Sequence, residues 1–202
     1  VLADLCARFR EAGRPLEPLL AGPEGGLWTA LLLGASWARD RLHADGALFE
    51  AMAVPGALST LVDGASLEGL WTPFGDDLPR EAAAALEGPR GLAEAPLGRA
   101  LRRFRQAVML RILAQDFAGL RTLAETTESL SALADFCLER ALAGAEGRLG
   151  ALWGTPEKVA GGPQRIAFLA LGKLGERALN LSSDIDLMAV YEAPGTLPGG
   201  RT

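Results

Sequence analysis

The chain has 202 residues, 49% of them hydrophobic, and its formal net charge at pH 7 is −5. This length allows one or two domains with a sizeable core, and the acidic balance argues against a basic surface for nucleic acid. No apolar run reaches the ~18–20 residues of a membrane span, no signal peptide is visible, and Cys6 and Cys137 show neither zinc-site nor disulfide spacing. We therefore expect a globular cytoplasmic protein with reduced thiols that binds neither membranes nor nucleic acid.

The N-terminal stretch, residues 1–95, is rich in Ala, Gly and Leu, which predicts short helices separated by turns. One helical pattern runs from Leu27 to about Leu42. His43 has no neighbouring Ser or Cys motif, so we interpret it as a helix-end or helix-surface residue and not as a catalytic base. Asp76 and Asp77 are adjacent acids, but the flanking Pro and Gly residues favour a solvated turn or a helix cap over a metal pair. Three tryptophans are predicted to anchor the core, namely Trp28, Trp37 and Trp71.

The next segment, residues 96–150, predicts a pair of helices. The first runs from Leu97 to about Phe117, because its apolar residues recur at helical spacing and form one stripe. The remaining arc of this helix carries four arginines, Arg99, Arg102, Arg103 and Arg105. A solvated face is the default interpretation of such an arc, and contact with nucleotide phosphates is the alternative.

Arg111 differs from these arginines because it lies at the margin of the apolar stripe. A half-buried arginine needs an anionic partner, and both pairing with Asp116 and contact with phosphate remain open. The second helix is predicted from Thr126 to Leu142, with caps and acidic residues at its start. Residues Gly144 to Gly162 are interpreted as a connector.

The clearest motif follows the connector. An apolar run from Ile166 to Leu171 meets the glycine turn Gly172–Gly175, and Asp184 later opens a second apolar run. This order predicts a strand, a glycine-containing phosphate loop, a short helix and a second strand. Because side chains alternate along a strand, Asp184 and Asp186 would share one face at a spacing of about 6.5–7 Å, which suits Mg²⁺.

Two blocks of the sequence resemble a known family. LGKLGERALNLSSDIDL (Leu171 to Leu187) resembles the signature of the glutamine synthetase adenylyltransferases, bifunctional enzymes of the nucleotidyltransferase superfamily that includes DNA polymerase β. The segment from Leu101 to Leu142 resembles the helical region that precedes this signature in the same family. The resemblance implies a mostly helical α+β fold. An N-terminal helical segment (1–95) and a helical pair that packs on the catalytic core (96–150) would precede the first two strands of an incomplete polymerase β-like sheet (163–202).

The resemblance also implies which residues form the site. Asp184 and Asp186 would be the catalytic acids and would bind Mg²⁺, with ATP, ADP and phosphate as substrates or products. The nucleotide and its phosphates would be bound by Gly172, Lys173, Gly175, Ser182 and Ser183. The sequence departs from the family pattern at Glu176, where a glycine is usual, and at Ala178, where a glutamate is usual.

The resemblance finally implies an activity. This form of the signature is more similar to the N-terminal catalytic half of the family, which removes AMP from an adenylylated tyrosine of glutamine synthetase by phosphorolysis. The parent protein would also transfer AMP from ATP, and a PII-type regulator would be a further candidate partner. The third carboxylate of the family comes from a later strand, so we expect the chain to be a fragment that is inactive by itself. A nucleotidyltransferase with another target and a non-catalytic helical interaction module are the alternatives.

Overall fold

The computed structural model describes residues 1–75, 96–158 and 161–197, so the predicted turn at Asp76 and Asp77 lies outside the described residues. The described part of the chain is mainly helical. Its helices are α1 (Leu2–Glu11), α2 (Glu17–Ala21), α3 (Gly25–Gly34), α4 (Ser36–Ala44), α5 (Gly46–Met52), α6 (Leu67–Gly75), α7 (Pro96–Phe117), α8 (Leu123–Trp153) and the single turn α9 (Gly172–Gly175). Its strands are β1 (Glu157–Lys158), β2 (Ile166–Leu171), β3 (Asp186–Tyr191) and β4 (Gly195–Thr196). None of the helices in these ranges is long and apolar enough to cross a bilayer.

The N-terminal helices pack around an aromatic core. The Phe49 ring lies 6.0 Å from the Phe9 ring and 6.1 Å from the Trp28 ring. His43 is in the last turn of α4 and meets Phe9 edge to face at 5.4 Å, which confirms its interpretation as a helix-end residue. Trp28 and Trp71 are buried as predicted, but Trp37 is 39% exposed, so its prediction as a core anchor is wrong.

The single helix predicted from Leu27 to Leu42 is two helices, broken at Ala35. The backbone of Ala35 is extended, with φ −130° and ψ 109°. Gly34 ends α3 against the ring of Phe117, where a Cβ would lie only 2.7 Å from Phe117 Cδ2. The close approach of the end of α3 to the Phe117 ring at the end of α7 therefore favours glycine at position 34.

Helix α7 lies at the centre of the molecule. Its predicted stripe is confirmed, since Phe104, Val108 and Ile112 are buried in a core shared with α6 and α8. The opposite side is buried as well, because Leu110 and Leu113 pack into the N-terminal core. The side-chain amide nitrogen of buried Gln115 donates hydrogen bonds to the carbonyl oxygens of Leu58 and Thr60, at 2.7 and 2.9 Å. One helix thus joins the two apolar clusters of the described residues.

Arg111 on α7 is half-buried, and burial lowers the pKa of its guanidinium, while the charge of Glu24 acts in the opposite direction. Asp116, the partner considered from sequence, instead accepts a hydrogen bond of 2.7 Å from Thr126 Oγ1. Arg111 also lines a cleft with residues of α5 and α6, away from the glycine signature. The pairing with Asp116 is therefore wrong, because Asp116 lies at the junction of α7 and α8.

Helix α8 is longer than predicted at both ends. It begins at Leu123 after a capping box, in which Glu125 N donates to Thr122 Oγ1 at 3.3 Å and Thr122 N donates to Glu125 Oε2 at 2.7 Å. It continues to Trp153, so the connector predicted from Gly144 is wrong over its first ten residues. The Ala, Leu, Glu and Arg residues around the three glycines of this stretch are strong helix formers and outweigh the cost of each glycine.

Two antiparallel strand pairs complete the fold. In the longer pair, β2 runs against β3 with Ile166 opposite Tyr191 and Leu171 opposite Asp186. The short strand β1 pairs with β4. The predicted first strand and the mostly helical α+β class are thereby confirmed, and the second strand is confirmed from Asp186, two residues later than predicted. Large apolar side chains of the β2–β3 pair remain well exposed on both of its faces, such as Phe168 and Leu169 at 41% and 50%.

Candidate nucleotide-transfer site

The glycine turn directly follows β2 and is itself a short helix, α9. The sequence predicted a loop and then a helix; the structure places the helical turn on the glycines, and residues 176–185 are irregular. Gly172 has φ +55°, and a Cβ on Gly175 would lie 2.6 Å from the carbonyl oxygen of Ala170. Both glycines are therefore required by backbone geometry, because a side chain would be strained at the first and would collide at the second.

The two acidic residues of the motif lie at the end of the sheet that bears this turn. Asp186 is the first residue of β3 and pairs with Leu171, the last residue of β2. Its Oδ2 lies 3.8 Å from the position that a Cβ would take on Gly172. Asp184 precedes the strand. The prediction that Asp184 and Asp186 share one strand face by alternation is therefore wrong. It lines a cleft of about 270 Å³ between the helical pair and the loop.

Both carboxylates are exposed, and neither has a hydrogen bond or an ion pair within the described residues. Two free carboxylates two residues apart are the oxygen ligands that Mg²⁺ prefers, so these residues fit the expected metal. No group of three or more His, Cys, Asp or Glu side chains in residues 1–75, 96–158 and 161–197 is arranged to hold an ion. Among the described residues, two carboxylates are thus available as metal ligands, and no third acidic side chain is grouped with them.

The two serines are engaged with Asn180. Asn180 Oδ1 accepts hydrogen bonds from Ser182 N at 3.1 Å, from Ser182 Oγ at 3.2 Å and from Ser183 Oγ at 2.7 Å. Ser183 Oγ in turn accepts one from Asn180 N at 3.1 Å. This closed turn holds the chain just before Asp184, so the serine hydroxyls cap the turn in this structure.

Arg177 binds the irregular loop to helix α8, a contact that sequence reasoning did not predict. Its guanidinium donates to both oxygens of Glu128, with Nη2 2.6 Å from Oε1, and it also pairs with Asp135. These bonds raise the pKa of Arg177, and they lower the pKa of Glu128. Arg177 has φ +58°, a conformation that is costly for a side chain and is held here by the two acids.

Further contacts support the same loop. Leu179 N donates to Ser131 Oγ at 3.3 Å, and the side chains of Leu174 and Leu179 are buried against the helical pair. Glu176, a position where the resemblance leads us to expect glycine, has φ −87° and is exposed, so its backbone does not require glycine. Lys173 is exposed on α9 and has no ion pair in the part of the chain that the structure describes.

The arrangement combines a glycine turn, two free carboxylates and an exposed lysine at one end of an antiparallel strand pair. Such a set can bind a metal-complexed phosphate, which is the substrate form of nucleotidyl transfer. The sequence matches the profile of the glutamate-ammonia ligase adenylyltransferase family over residues 51–202. The chain therefore belongs to this family.

Individual relatives carry the same description. The chain is 44% identical over 108 residues to the bifunctional glutamine synthetase adenylyltransferase/adenylyl-removing enzyme of Thioalkalivibrio sulfidiphilus, covering 54% of this chain and 11% of that protein. It is 46% identical over 109 residues to the protein of the same name from Pseudomonas aeruginosa, with the same two coverages. For the protein from Chromobacterium violaceum, the identity is 42% over 118 residues, or 58% of this chain and 12% of the relative. The chain thus matches about a ninth of the length of these relatives.

Proposed function

We propose that this chain contributes the adenylyl-removing site of a nucleotidyltransferase that acts on glutamine synthetase. The observation that carries the proposal is two free carboxylates in a chain of this family, Asp186 beside the glycine turn and Asp184 two residues earlier at the adjoining cleft. The names of the relatives, which include both adenylyl transfer and adenylyl removal on glutamine synthetase, support the choice of protein substrate. We place β2 and β3 as the first two strands of a polymerase β-like sheet.

The proposed reaction is phosphorolysis. An oxygen of inorganic phosphate attacks the phosphorus of the adenylyl-tyrosine, the bond from that phosphorus to the tyrosine oxygen breaks, and the tyrosine takes up a proton. The products are ADP and unmodified glutamine synthetase. The parent protein would also transfer AMP from ATP to the same tyrosine, in the cytoplasm and with a PII-type protein as regulator.

In this proposal Asp184 and Asp186 would hold Mg²⁺, and the ion would supply positive charge to the phosphate oxygens. The backbone of Gly172 and Gly175 lets the phosphates approach closely, and Lys173 supplies a positive charge. Ser182 and Ser183 keep the preceding turn closed, as their bonds to Asn180 indicate, and remain candidates for phosphate contact.

The test is made in the full-length protein that carries this chain. Mg²⁺-dependent release of ADP from adenylylated glutamine synthetase and phosphate is measured for the wild type, for Asp184→Asn with Asp186→Asn, and for Asp40→Asn. Asp40 is a suitable control because it is an exposed acid on α4 that pairs with Arg8 at 3.5 Å.

We expect the double variant to lose at least about 100-fold in rate, since charge stabilisation of this kind contributes several kcal/mol, and the control to keep its rate. Equal ADP release by the double variant would contradict the proposed site. Folded wild-type protein that releases no ADP would favour the non-catalytic helical module, and activity on a different adenylylated protein would favour another target.

A further inference from the structure

The arginines on the outer arc of α7 point to two different places. Arg99 and Arg103 line a cleft of about 510 Å³ with residues of α5 and α6, and Arg103 Nε lies 4.0 Å from Asp45 Oδ2. Arg105, two residues further on, lines the smaller cleft of about 270 Å³ that contains Asp184. The arc that sequence describes as one solvated face is thus divided between two clefts.

The smaller cleft has an unusual composition. One wall is apolar and comes from the helical pair, with Met109 one turn after Arg105 and with Leu130 and Leu133 on α8. The other wall is the loop from Leu179 to Ile185, which brings Asn180, Ser183 and Asp184 to the cleft. Arg105 and Asp184 are the ionisable residues among those that line it. Arg105 on one wall and Asp184 on the other therefore line the same cleft.

These two charges do not neutralise each other. Neither Arg105 nor Asp184 takes part in an ion pair within the described residues. A guanidinium and a carboxylate that line one cleft without pairing suit an anionic group that would reach the carboxylate through a metal ion and the guanidinium directly.

The geometry points to Arg105 as a phosphate-binding residue of this site, one that contacts a phosphate group of the substrates from the side opposite Asp184. This assignment rests on the proposed function and adds to it a residue from a helix some eighty positions earlier in the chain. The guanidinium provides two parallel N–H donors, which match two oxygens of one phosphate group. Lys173 lies on the exposed turn α9 and does not line the cleft that contains Arg105.

The phosphate can have two sources, free inorganic phosphate and the adenylyl phosphate on the protein substrate. In the full-length protein, KM for each substrate and kcat are measured in the ADP-releasing direction for Arg105→Ala, Arg105→Lys and the control Arg103→Ala. Arg103 lies on the same helix and carries the same charge but faces the other cleft. Melting curves establish that the variants are folded, as expected for an exposed side chain.

We expect Arg105→Ala to raise one KM by tenfold or more, with kcat changed less, because charge-assisted hydrogen bonds to phosphate are lost. A rise in KM for phosphate identifies free inorganic phosphate as the group that Arg105 contacts. A rise in KM for adenylylated glutamine synthetase identifies the phosphate of the adenylyl group instead. Arg105→Lys should recover part of the loss, and Arg103→Ala should stay within twofold of the wild type. Both KM values within twofold of wild type for Arg105→Ala would overturn the assignment while leaving the proposed function intact.

A second measurement does not need turnover. Equilibrium binding of ADP, which carries both phosphate groups, is compared between the wild type and Arg105→Ala in the presence of Mg²⁺. Weaker binding by the variant supports the assignment even if the wild type releases no ADP, an outcome in which only the proposed function fails. Equal binding by the two proteins contradicts the assignment of Arg105.

Discussion

Cys137 on α8 is partly buried, and this burial raises the pKa of its thiol to about 11, while the nearby charge of Arg105 acts in the opposite direction. The thiolate is the reactive form, so alkylation should be slow at pH 8 and should rise with pH towards about 11. We predict this profile for a Cys6→Ser variant, whose remaining cysteine is Cys137. Labelling by iodoacetamide between pH 7 and 10, followed by mass spectrometry, measures it.

The same experiment reports on the position of Arg105. Replacing Arg105 by Ala removes a charge that favours the thiolate, so labelling at a given pH should slow further. Denatured protein is the control, because its thiol returns to an ordinary pKa of roughly 8.5 and should react rapidly. Fast labelling of the folded protein at pH 7 would contradict the burial of Cys137.

Residues of the candidate site differ in how far sequence predicts them. Gly172, Asp184 and Asp186 were predicted because they stand in one short motif whose order carries chemical meaning. Arg177 was missed because its partners, Glu128 and Asp135, precede it by more than forty residues. Positions on a helix arc likewise do not reveal which residue faces which cleft, since that depends on how α8 and the loop pack against α7.

At the scale of secondary-structure elements, helix α8 shows that glycines in a sequence do not always mark the end of a helix. Three glycines suggested a connector after Leu142, yet the helix continues to Trp153. We predict that Gly147→Ala raises the free energy of unfolding by about 0.5–1 kcal/mol, because an exposed helical glycine costs this much relative to Ala. A Cβ at this position meets no atom within 4 Å, so no clash offsets the gain.

A glycine outside the helices provides the contrast. Gly119, between α7 and α8, has φ +69° and also has no atom within 4 Å of an added Cβ. Gly119→Ala should therefore lower the free energy of unfolding by about 1–2 kcal/mol through backbone strain alone. Urea unfolding of both variants measures the two changes. A loss of stability in Gly147→Ala would contradict the helix in this part of the chain.

At the scale of the whole molecule, the sequence divides residues 1–95 from residues 96–150, and this division remains a prediction. The structure adds that α7 buries Leu110 in the N-terminal core and Ile112 in the core that supports the site loop. Both side chains are fully buried on opposite sides of one helix. A helix cannot lose its partners on one side without loosening the other, so the two cores should unfold together.

This coupling gives the last prediction. Leu110→Ala should lower the free energy of unfolding by about 2–5 kcal/mol, the usual cost of such a truncation in a core, and Leu152→Ala, at a position 55% exposed, should change it by less than about 0.5 kcal/mol. Trp71, buried in the second core, reports unfolding there in a background in which Trp28, Trp37 and Trp153 are replaced by Phe, and Trp28 reports on the first core in a background in which Trp37, Trp71 and Trp153 are replaced by Phe. Because α7 joins both cores, Leu110→Ala should shift the two fluorescence midpoints by the same amount. A shift seen by Trp28 alone would show that the cores unfold separately and that the site loop does not depend on the N-terminal helices.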